Sequence, residues 1–248
     1  MIDLHTHILP GIDDGPTDWE ESLGLARALV AAGVKEVAAT SHIKPPTWDN
    51  RSVGLAELRQ QLQDRLTEEG LSLQIHPGAE HWWCGSVLDR LVQGGGQPYG
   101  TGTAALLEFH PLEGPRLFEQ RLDRLWSHGI VVVLAHVERY KIFEGRSGFR
   151  RLSGLVDKGL VAQVNLGSLG RGFGWSRGGA AKKMVQAGLV GLVCGDCHRA
   201  QDVAPAYDRG LKALEKIGGS AAVERLLSRN PRRLLEGIEV DPWSPPQY

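Results

Sequence analysis

Short, continuous apolar runs recur along the chain, and a glycine precedes most of them. Glycine suits the left-handed position just beyond a helix end. Uninterrupted apolar runs are typical of parallel strands that are covered on both faces. Five such runs occupy residues 34–40, 71–75, 130–135, 160–164 and 189–193. With two further strands predicted at residues 2–5 and 104–109, the pattern indicates seven parallel strands.

Amphipathic patterns fill the intervals between these strands. Residues 18–32 begin with Thr17 and Glu20 at capping-box spacing, and their apolar positions fall on one helical face. Further helices are predicted at residues 55–66 and around residues 211–217. Such repeating βα units favour an α/β fold, a distorted TIM-like (β/α)7 barrel, over an open doubly wound sheet. We expect one domain over residues 1–248, with residues 238–248 as an extended C-terminal tail.

The overall charge excludes some classes of partner. The chain has 28 Lys and Arg against 29 Asp and Glu, so neither a nucleic acid nor an anionic membrane is an expected partner. The apolar runs are too short to span a bilayer, and the N-terminus does not have the pattern of a signal peptide. Three cysteines imply no disulfide framework, which favours a reducing cytoplasm. Nothing in the pattern indicates an oligomeric state.

Imidazoles and carboxylates follow the carboxyl ends of almost all the predicted strands. In a barrel these ends meet at one rim, where active sites are built. A lone histidine there is usually structural, but many such groups together would be costly to desolvate unless cations neutralise them. Histidine and carboxylate ligands without thiolates suit Zn, Mn, Fe or Co. The predicted metal ligands are His5, His7, Asp14, His42, Glu80, Glu108, His136, Asp196 and His198.

These residues belong to motifs that extend over almost the whole chain. The motifs occupy residues 5–7, 10–15, 39–42, 77–80, 107–109, 136–140, 163–169, 195–198 and 230–231. In their order they resemble the motifs of the PHP (polymerase and histidinol phosphatase) superfamily. More narrowly, they are similar to those of the bacterial PHP-type protein-tyrosine phosphatases that act in capsule and exopolysaccharide synthesis.

The resemblance implies three divalent metal ions, with Mn²⁺ expected and Fe, Co or Zn as alternatives. One metal would bind His5, His7, Glu80 and Asp196, a second Glu80, Glu108 and His136, and the third Asp14, His42 and His198. It also implies that Arg139 binds the phosphate, and we expect His42 and His198 to complete the catalytic set. The second arginine of the family is replaced here by Val203, for which Arg199 is the nearest substitute.

The expected reaction is attack on phosphorus by a hydroxide that bridges two metals, with Arg139 holding non-bridging oxygens. The implied substrate is a phosphotyrosine protein, the tail of a bacterial tyrosine kinase. Four tryptophans, at positions 48, 82, 83 and 175, are candidates for an aromatic wall around the phosphotyrosine ring, or for core packing.

Four alternatives compete with this interpretation. Within the superfamily, the substrate could be a small phosphomonoester such as histidinol phosphate. A non-catalytic, metal-stabilised binding module belongs to another class. Residues 84–90 have the Cys-x5-Arg spacing of cysteine-based phosphatases, but they contain one internal glycine and read as a helix. Amidohydrolases also begin with His-x-His, but they typically need a carboxylated lysine where this chain has Glu108.

Overall fold

Short parallel strands and the helices between them make up the structure, a computed structural model. It describes residues 1–52, 54–170, 175–240 and 243, without the side chains of residues 52 and 175–178. In chain order the strands are β1 (Ile2–Thr6), β2 (Glu36–Ala39), β3 (His42–Lys44), β4 (Trp48–Asp49), β5 (Gln74–Pro77), β6 (Glu80–Trp82), β7 (Ala104–Glu108), β8 (Val131–Leu134), β9 (Val161–Asn165) and β10 (Leu192–Cys194). The α-helices are α1 (Trp19–Ala31), α2 (Leu55–Glu68), α3 (Gly85–Val92), α4 (Phe118–Ser127), α5 (Gly145–Val156), α6 (Leu166–Leu169), α7 (Trp175–Gln186), α8 (Ala200–Glu224) and α9 (Asn230–Leu235).

The strands form two hydrogen-bonded sheets. The order is β1-β2-β5 in one sheet and β10-β9-β8-β7-β6-β3-β4 in the other. All neighbours are parallel except β3 and β4, which form an antiparallel pair. The α/β class and all seven predicted parallel strands are therefore confirmed. The apolar pattern does not predict β3, β4 and β6, which follow short interruptions after β2 and β5.

Backbone hydrogen bonds connect the two sheets on both sides of β1. On one side, the amide of Thr40 donates to Thr6 O (2.9 Å), and the amide of Glu80 donates to Thr40 O (3.2 Å). On the other side, the amide of Asp196 donates to His5 O (2.9 Å). The end of β1 thus lies between residues that follow β2 and β10, which brings distant parts of the chain to one place.

Both faces of the strands are buried, as the continuous apolar runs predict. Leu106 packs in one apolar cluster with Leu4 and Val133, whereas its neighbours Ala105 and Leu107 pack in a second cluster that includes the helices. Because successive side chains of a strand point to opposite faces, this alternation shows that β7 has apolar contacts on both sides.

The helix ends agree with the glycine pattern, and the start of α1 differs from the prediction by one residue. Each glycine that precedes a predicted apolar run has a positive φ, from 68° to 106°. The N-cap of α1 is Asp18 and not the predicted Thr17, because the Asp18 side chain accepts from the amide of Glu21 (3.0 Å). The Glu21 carboxylate in turn accepts from the amide of Thr17 (2.7 Å).

The tail returns to the body of the protein at Trp243. Its indole is buried, and Nε1 donates to Val185 O at 3.1 Å. Of the rest of the predicted arm, residues 238–240 belong to no helix or strand, and residues 241, 242 and 244–248 lie outside the described residues. In the part of the chain that the structure describes, no helix is long and apolar enough to cross a membrane.

Candidate metal centre

All nine predicted metal ligands lie at one end of the parallel strands. His5 belongs to β1 and His7 follows that strand, while Asp14 lies on the loop beyond it. His42 and Glu80 lie just beyond the carboxyl ends of β2 and β5, as the first residues of β3 and β6, and Glu108 is the last residue of β7. His136 follows β8, and Asp196 and His198 follow β10. The local reason is that parallel strands present their carboxyl ends at the same edge, so that residues far apart in sequence meet there.

Glu80 is the point on which the imidazoles converge. Its Oε2 atom lies 3.2 Å from His5 Nε2, 3.3 Å from His7 Nε2 and 3.2 Å from His42 Nδ1. The other oxygen, Oε1, lies 3.0 Å from His136 Nε2. The carboxylate is 1% exposed. Four imidazoles around one buried carboxylate are more than ordinary hydrogen bonding of a glutamate requires.

A second convergence point, closer to solvent, is Asp14. Its Oδ1 atom lies 3.3 Å from His198 Nε2 and 3.5 Å from His42 Nε2. The Asp196 carboxylate connects the two regions, since its Oδ1 atom is 3.4 Å from His5 Nε2 and 3.8 Å from His198 Nδ1.

Three groups of side chains place their ligand atoms within 4.8 Å of one another, close enough to hold a cation. The first group is His7, Asp14, His42 and His198; the second is His5, His7 and Asp196; the third is His42, Glu80 and Glu108. They overlap with the implied sets but divide the residues differently. His7 joins the Asp14 group, and His42 stands beside Glu108 where His136 was expected.

The electrostatics of the cluster fit a site for cations. Burial lowers the pKa of His5, but the carboxylates of Glu80 and Asp196 outweigh burial and raise it to about 9. Likewise, burial lowers the pKa of His7 while Asp13 and Glu80 raise it well above its ordinary value. Burial raises the pKa of Glu80, yet the surrounding imidazoles hold it well below its usual range. The buried carboxylates thus demand positive charge, which either protons or metal ions can supply.

Unpaired polar atoms support the same conclusion. Among the described residues, His136 Nδ1 is buried without a hydrogen-bond partner, and the buried Glu108 Oε1 accepts no hydrogen bond although His42 Nδ1 lies 3.0 Å from it. Burying such atoms without a partner costs free energy. Since imidazole nitrogens and carboxylate oxygens are also the preferred ligands of divalent transition metals, the residues present fit bound metal ions.

Two polar residues beyond the predicted ligands orient the imidazoles. Asp13 Oδ2 lies 2.8 Å from His7 Nδ1 and accepts from the amide of His42 (3.0 Å). Gln163 Oε1 lies 3.2 Å from His5 Nδ1 and accepts from the amide of His136 (2.8 Å). Both contacts leave the Nε2 atoms facing the cluster, as supporting partners of metal-binding histidines commonly do. The position of Gln163 on a strand that ends at this rim was the available sequence signal.

Backbone strain also concentrates here. His136 and Asp196 have positive φ values of 34° and 54°, in a region that residues other than glycine rarely adopt. Such conformations cost about 1–3 kcal/mol each and persist only where the surroundings fix them. For Asp196 the fixing contact is its amide hydrogen bond to His5 O (2.9 Å).

The predicted phosphate-binding arginine lies next to this cluster. An Nη2 atom of Arg139 lies 3.0 Å from Asp196 Oδ2, and the side chain is 26% exposed. Arg199, the expected substitute for a second arginine, instead donates to the carbonyl oxygens of Asp14 (2.8 Å) and His198 (3.0 Å). Val203 is buried. Arg199 therefore secures the backbone of two predicted ligands.

The four candidate tryptophans have different surroundings. Trp48 stacks on the His42 ring, with centroids 4.9 Å apart and planes 6° apart. The Lys44 ammonium lies over the ring of Trp82, with Nζ 3.9 Å from the ring centre. For Trp83 the core-packing alternative holds, because this side chain is buried against Phe118. The side chain of Trp175 lies outside the described residues.

The geometry argues against a cysteine-based phosphatase. Helix α3 begins directly after Cys84, as predicted, so the five intervening residues are helical and do not form a phosphate-binding loop. The guanidinium of Arg90 donates to the carbonyl oxygens of Gly95 and Arg51 and does not pair with the thiol.

A largely parallel α/β fold that gathers histidines and carboxylates at its strand ends is typical of metal-dependent hydrolases. The organophosphorus hydrolase of Deinococcus radiodurans shares this fold, with a TM-score of 0.57 at 14% identity over 94% of this chain and 92% of that chain.

Residues 1–236 match the family CpsB/CapC of capsular polysaccharide synthesis, and the chain therefore belongs to this family. The tyrosine-protein phosphatase YwqE of Bacillus subtilis is 33% identical over 97% of this chain and 93% of its own length. The tyrosine-protein phosphatase CpsB of Streptococcus pneumoniae is 28% identical over 95% of this chain and 98% of its own. A crystal structure from the work on these two metal-dependent phosphatases superposes with a TM-score of 0.90, at 32% identity over 99% of this chain and 98% of that chain.

Proposed function

We propose that this protein is a metal-dependent protein-tyrosine phosphatase that regulates exopolysaccharide or capsule synthesis. The observation that carries the proposal is the convergence of His5, His7 and His42 on one buried oxygen of Glu80. Membership of the CpsB/CapC family and the tyrosine phosphatases among its relatives support the substrate.

The proposed cofactors are three divalent ions, with Mn²⁺ as the first candidate. The nine clustered ligands include four carboxylates, so that three divalent ions would leave the site with a positive charge suited to a phosphoryl dianion. When bound, such ions supply Lewis-acid stabilisation of phosphoryl oxygens and lower the pKa of water.

The residues of the chain itself have separable tasks in the proposed reaction. The partly exposed guanidinium of Arg139 can bind two non-bridging phosphoryl oxygens at once, which orients phosphorus for in-line attack. His42 and His198 border the same region, and Asp13 and Gln163 hold the imidazoles beneath it in fixed orientations. A phenolate leaving group needs little protonation, because the pKa of its conjugate acid is about 10.

The closure of the barrel, the cellular location and the substrate protein are also part of the proposed function. We propose that the two sheets close into one distorted (β/α)7 barrel within a single domain, supported by the backbone hydrogen bonds on both sides of β1. The reaction would take place in the cytoplasm, where the three free cysteines stay reduced. The proposed substrate is the tyrosine-rich tail of a bacterial kinase.

The test is hydrolysis of a phosphotyrosine peptide by the Mn²⁺-loaded protein, with histidinol phosphate and phosphoserine peptide as comparison substrates. We expect preference for phosphotyrosine, loss of activity with EDTA, and recovery when Mn²⁺ is restored. His5→Ala and Arg139→Ala should each lower kcat/KM at least about a hundredfold. Full activity in either variant would refute the proposed roles. Stoichiometric metal without turnover of any phosphoester would instead favour the non-catalytic binding module.

A further inference from the structure

A lysine next to the predicted ligands has no role in the function described so far. Lys44 ends strand β3, two residues beyond His42, and its side chain is 28% exposed. Its Nζ atom lies 3.5 Å from Glu108 Oε1, an oxygen that is also 3.0 Å from His42 Nδ1. The ammonium therefore stands at the edge of the metal centre and remains open to solvent on one side.

Two tryptophans hold the Lys44 side chain in place. The Nζ atom lies 3.9 Å from the centre of the Trp82 ring and 5.8 Å from that of Trp48. Trp48 is the direct cross-strand partner of Lys44 in the β3–β4 pair. An ammonium over an aromatic face is stabilised by the ring quadrupole. The lysine is thus restrained at this position.

Glu108 is the only carboxylate found in contact with Lys44 among the described residues, and it is itself a predicted metal ligand. If Glu108 binds a cation, its negative charge is shared with that cation, and the ammonium loses most of its counter-charge. A partly exposed ammonium beside a cationic centre would then be stabilised by an anion that binds next to it.

Of the other positions near the centre, neither Arg199 nor Val203 provides a further cation for the substrate. The guanidinium of Arg199 donates to two backbone carbonyls of ligand residues, and Val203 contributes no charge. Arg139 contacts Asp196, whereas Lys44 contacts Glu108, a carboxylate of a different strand. Arg139 and Lys44 are therefore two cations that border the metal centre, each beside a different carboxylate.

We propose that Lys44 is a substrate-binding residue that contacts the phosphoryl dianion together with Arg139. This inference rests on the proposed function, since it assigns a second cationic contact to the same substrate group. It predicts that Lys44, held against Trp82 of the neighbouring strand β6, contributes to the affinity for phosphate itself and not only to packing.

The experiment measures binding of inorganic phosphate to the Mn²⁺-loaded protein by calorimetry, and KM and kcat for a phosphotyrosine peptide. Lys44→Met retains the alkyl chain over Trp82 but removes the charge. The matched control is Lys35→Met, which removes an exposed lysine before β2, at the opposite end of the strands. Metal content and the thermal midpoint of each variant establish that the fold and the metal site are intact.

We expect Lys44→Met to weaken phosphate binding at least about tenfold, the effect of losing one charge-assisted hydrogen bond. KM should rise by a similar factor with a smaller change in kcat, and Lys44→Arg should restore binding to within about threefold. Lys35→Met should leave both quantities unchanged. Unaltered phosphate affinity in a metal-replete Lys44→Met protein would overturn the inference.

The same measurements separate this inference from the proposed function. If the wild type binds phosphate through Lys44 but hydrolyses no phosphotyrosine, the proposed activity fails and the role of Lys44 stands. If the wild type is an active phosphatase and Lys44→Met binds phosphate equally well, only the role of Lys44 fails. If metal-loaded wild type neither binds phosphate nor turns over, both fail.

Discussion

The buried hydroxyl of Tyr207 offers a sharp test of how the strand ends are held together. It donates to Asp3 Oδ2 at 2.6 Å, while the other oxygen of Asp3 accepts from the amide of His5 (3.0 Å). The amide of Gly195, next to Asp196, also donates to Asp3 (3.0 Å to Oδ2). Asp3 thus connects β1, the loop after β10 and helix α8. Tyr207→Phe deletes one hydroxyl from this network and changes little else.

The expected cost follows from the charge and the burial of the network. Burial raises the pKa of Asp3, and the hydrogen bond from Tyr207 lowers it, so the hydroxyl stabilises the ionised carboxylate. Losing a hydrogen bond to a charged group costs about 1.5–3 kcal/mol of unfolding free energy. For a chain of 248 residues this corresponds to a fall in the thermal midpoint of about 3–12 °C.

Tyr99→Phe is the matched control, because it deletes the same atom from an equally buried ring. Within the described residues the Tyr99 hydroxyl has no hydrogen-bond partner. Its removal should therefore leave stability unchanged or raise it by about 1 kcal/mol. Urea unfolding of wild type and both variants, with and without EDTA, measures the difference. Equal midpoints for Tyr207→Phe and Tyr99→Phe would refute the argument that partnering of the hydroxyl decides its contribution.

Three further predictions concern pH, packing and the cysteine alternative. In the metal-free protein, the pKa of His5 is raised from 6.5 to about 9, so its stabilising contribution is complete below pH 6.5 and is lost as pH rises through 9. Unfolding free energy should fall by about 3 kcal/mol across that window, and less in His5→Asn. Gly210→Ala should destabilise the protein by about 1–3 kcal/mol, because the new Cβ would collide with the Leu166 carbonyl. Gly24→Ala is the control: it has open space in α1 and should stabilise the protein by about 0.5–1 kcal/mol. Urea unfolding measures both changes. Cys84→Ser should keep wild-type kcat/KM. A large decrease in kcat/KM would instead support a cysteine-based mechanism.

The periodic part of the architecture could be predicted from the sequence because local rules determine it. Gly33, Gly70 and the later helix-ending glycines have the left-handed conformation that their positions predict. The apolar runs form parallel strands, and the rule that strand ends meet at one rim brought His5 and Glu80 together, 3.2 Å apart. These features depend on hydrophobic period and on chain direction, which a single sequence contains.

The breaks within the predicted strands and the grouping of the metal ligands could be seen only in the tertiary structure. Nothing local shows that the second predicted strand stops and restarts as β3, which places Lys44 against Trp82 and His42 beside Glu108. The roles of Asp13 and Gln163 likewise depend on contacts with residues of other strands. Such contacts arise from the twist and the register of several strands at once. The sequence therefore specified which residues reach the rim, and only the tertiary structure decided which atoms face each other there.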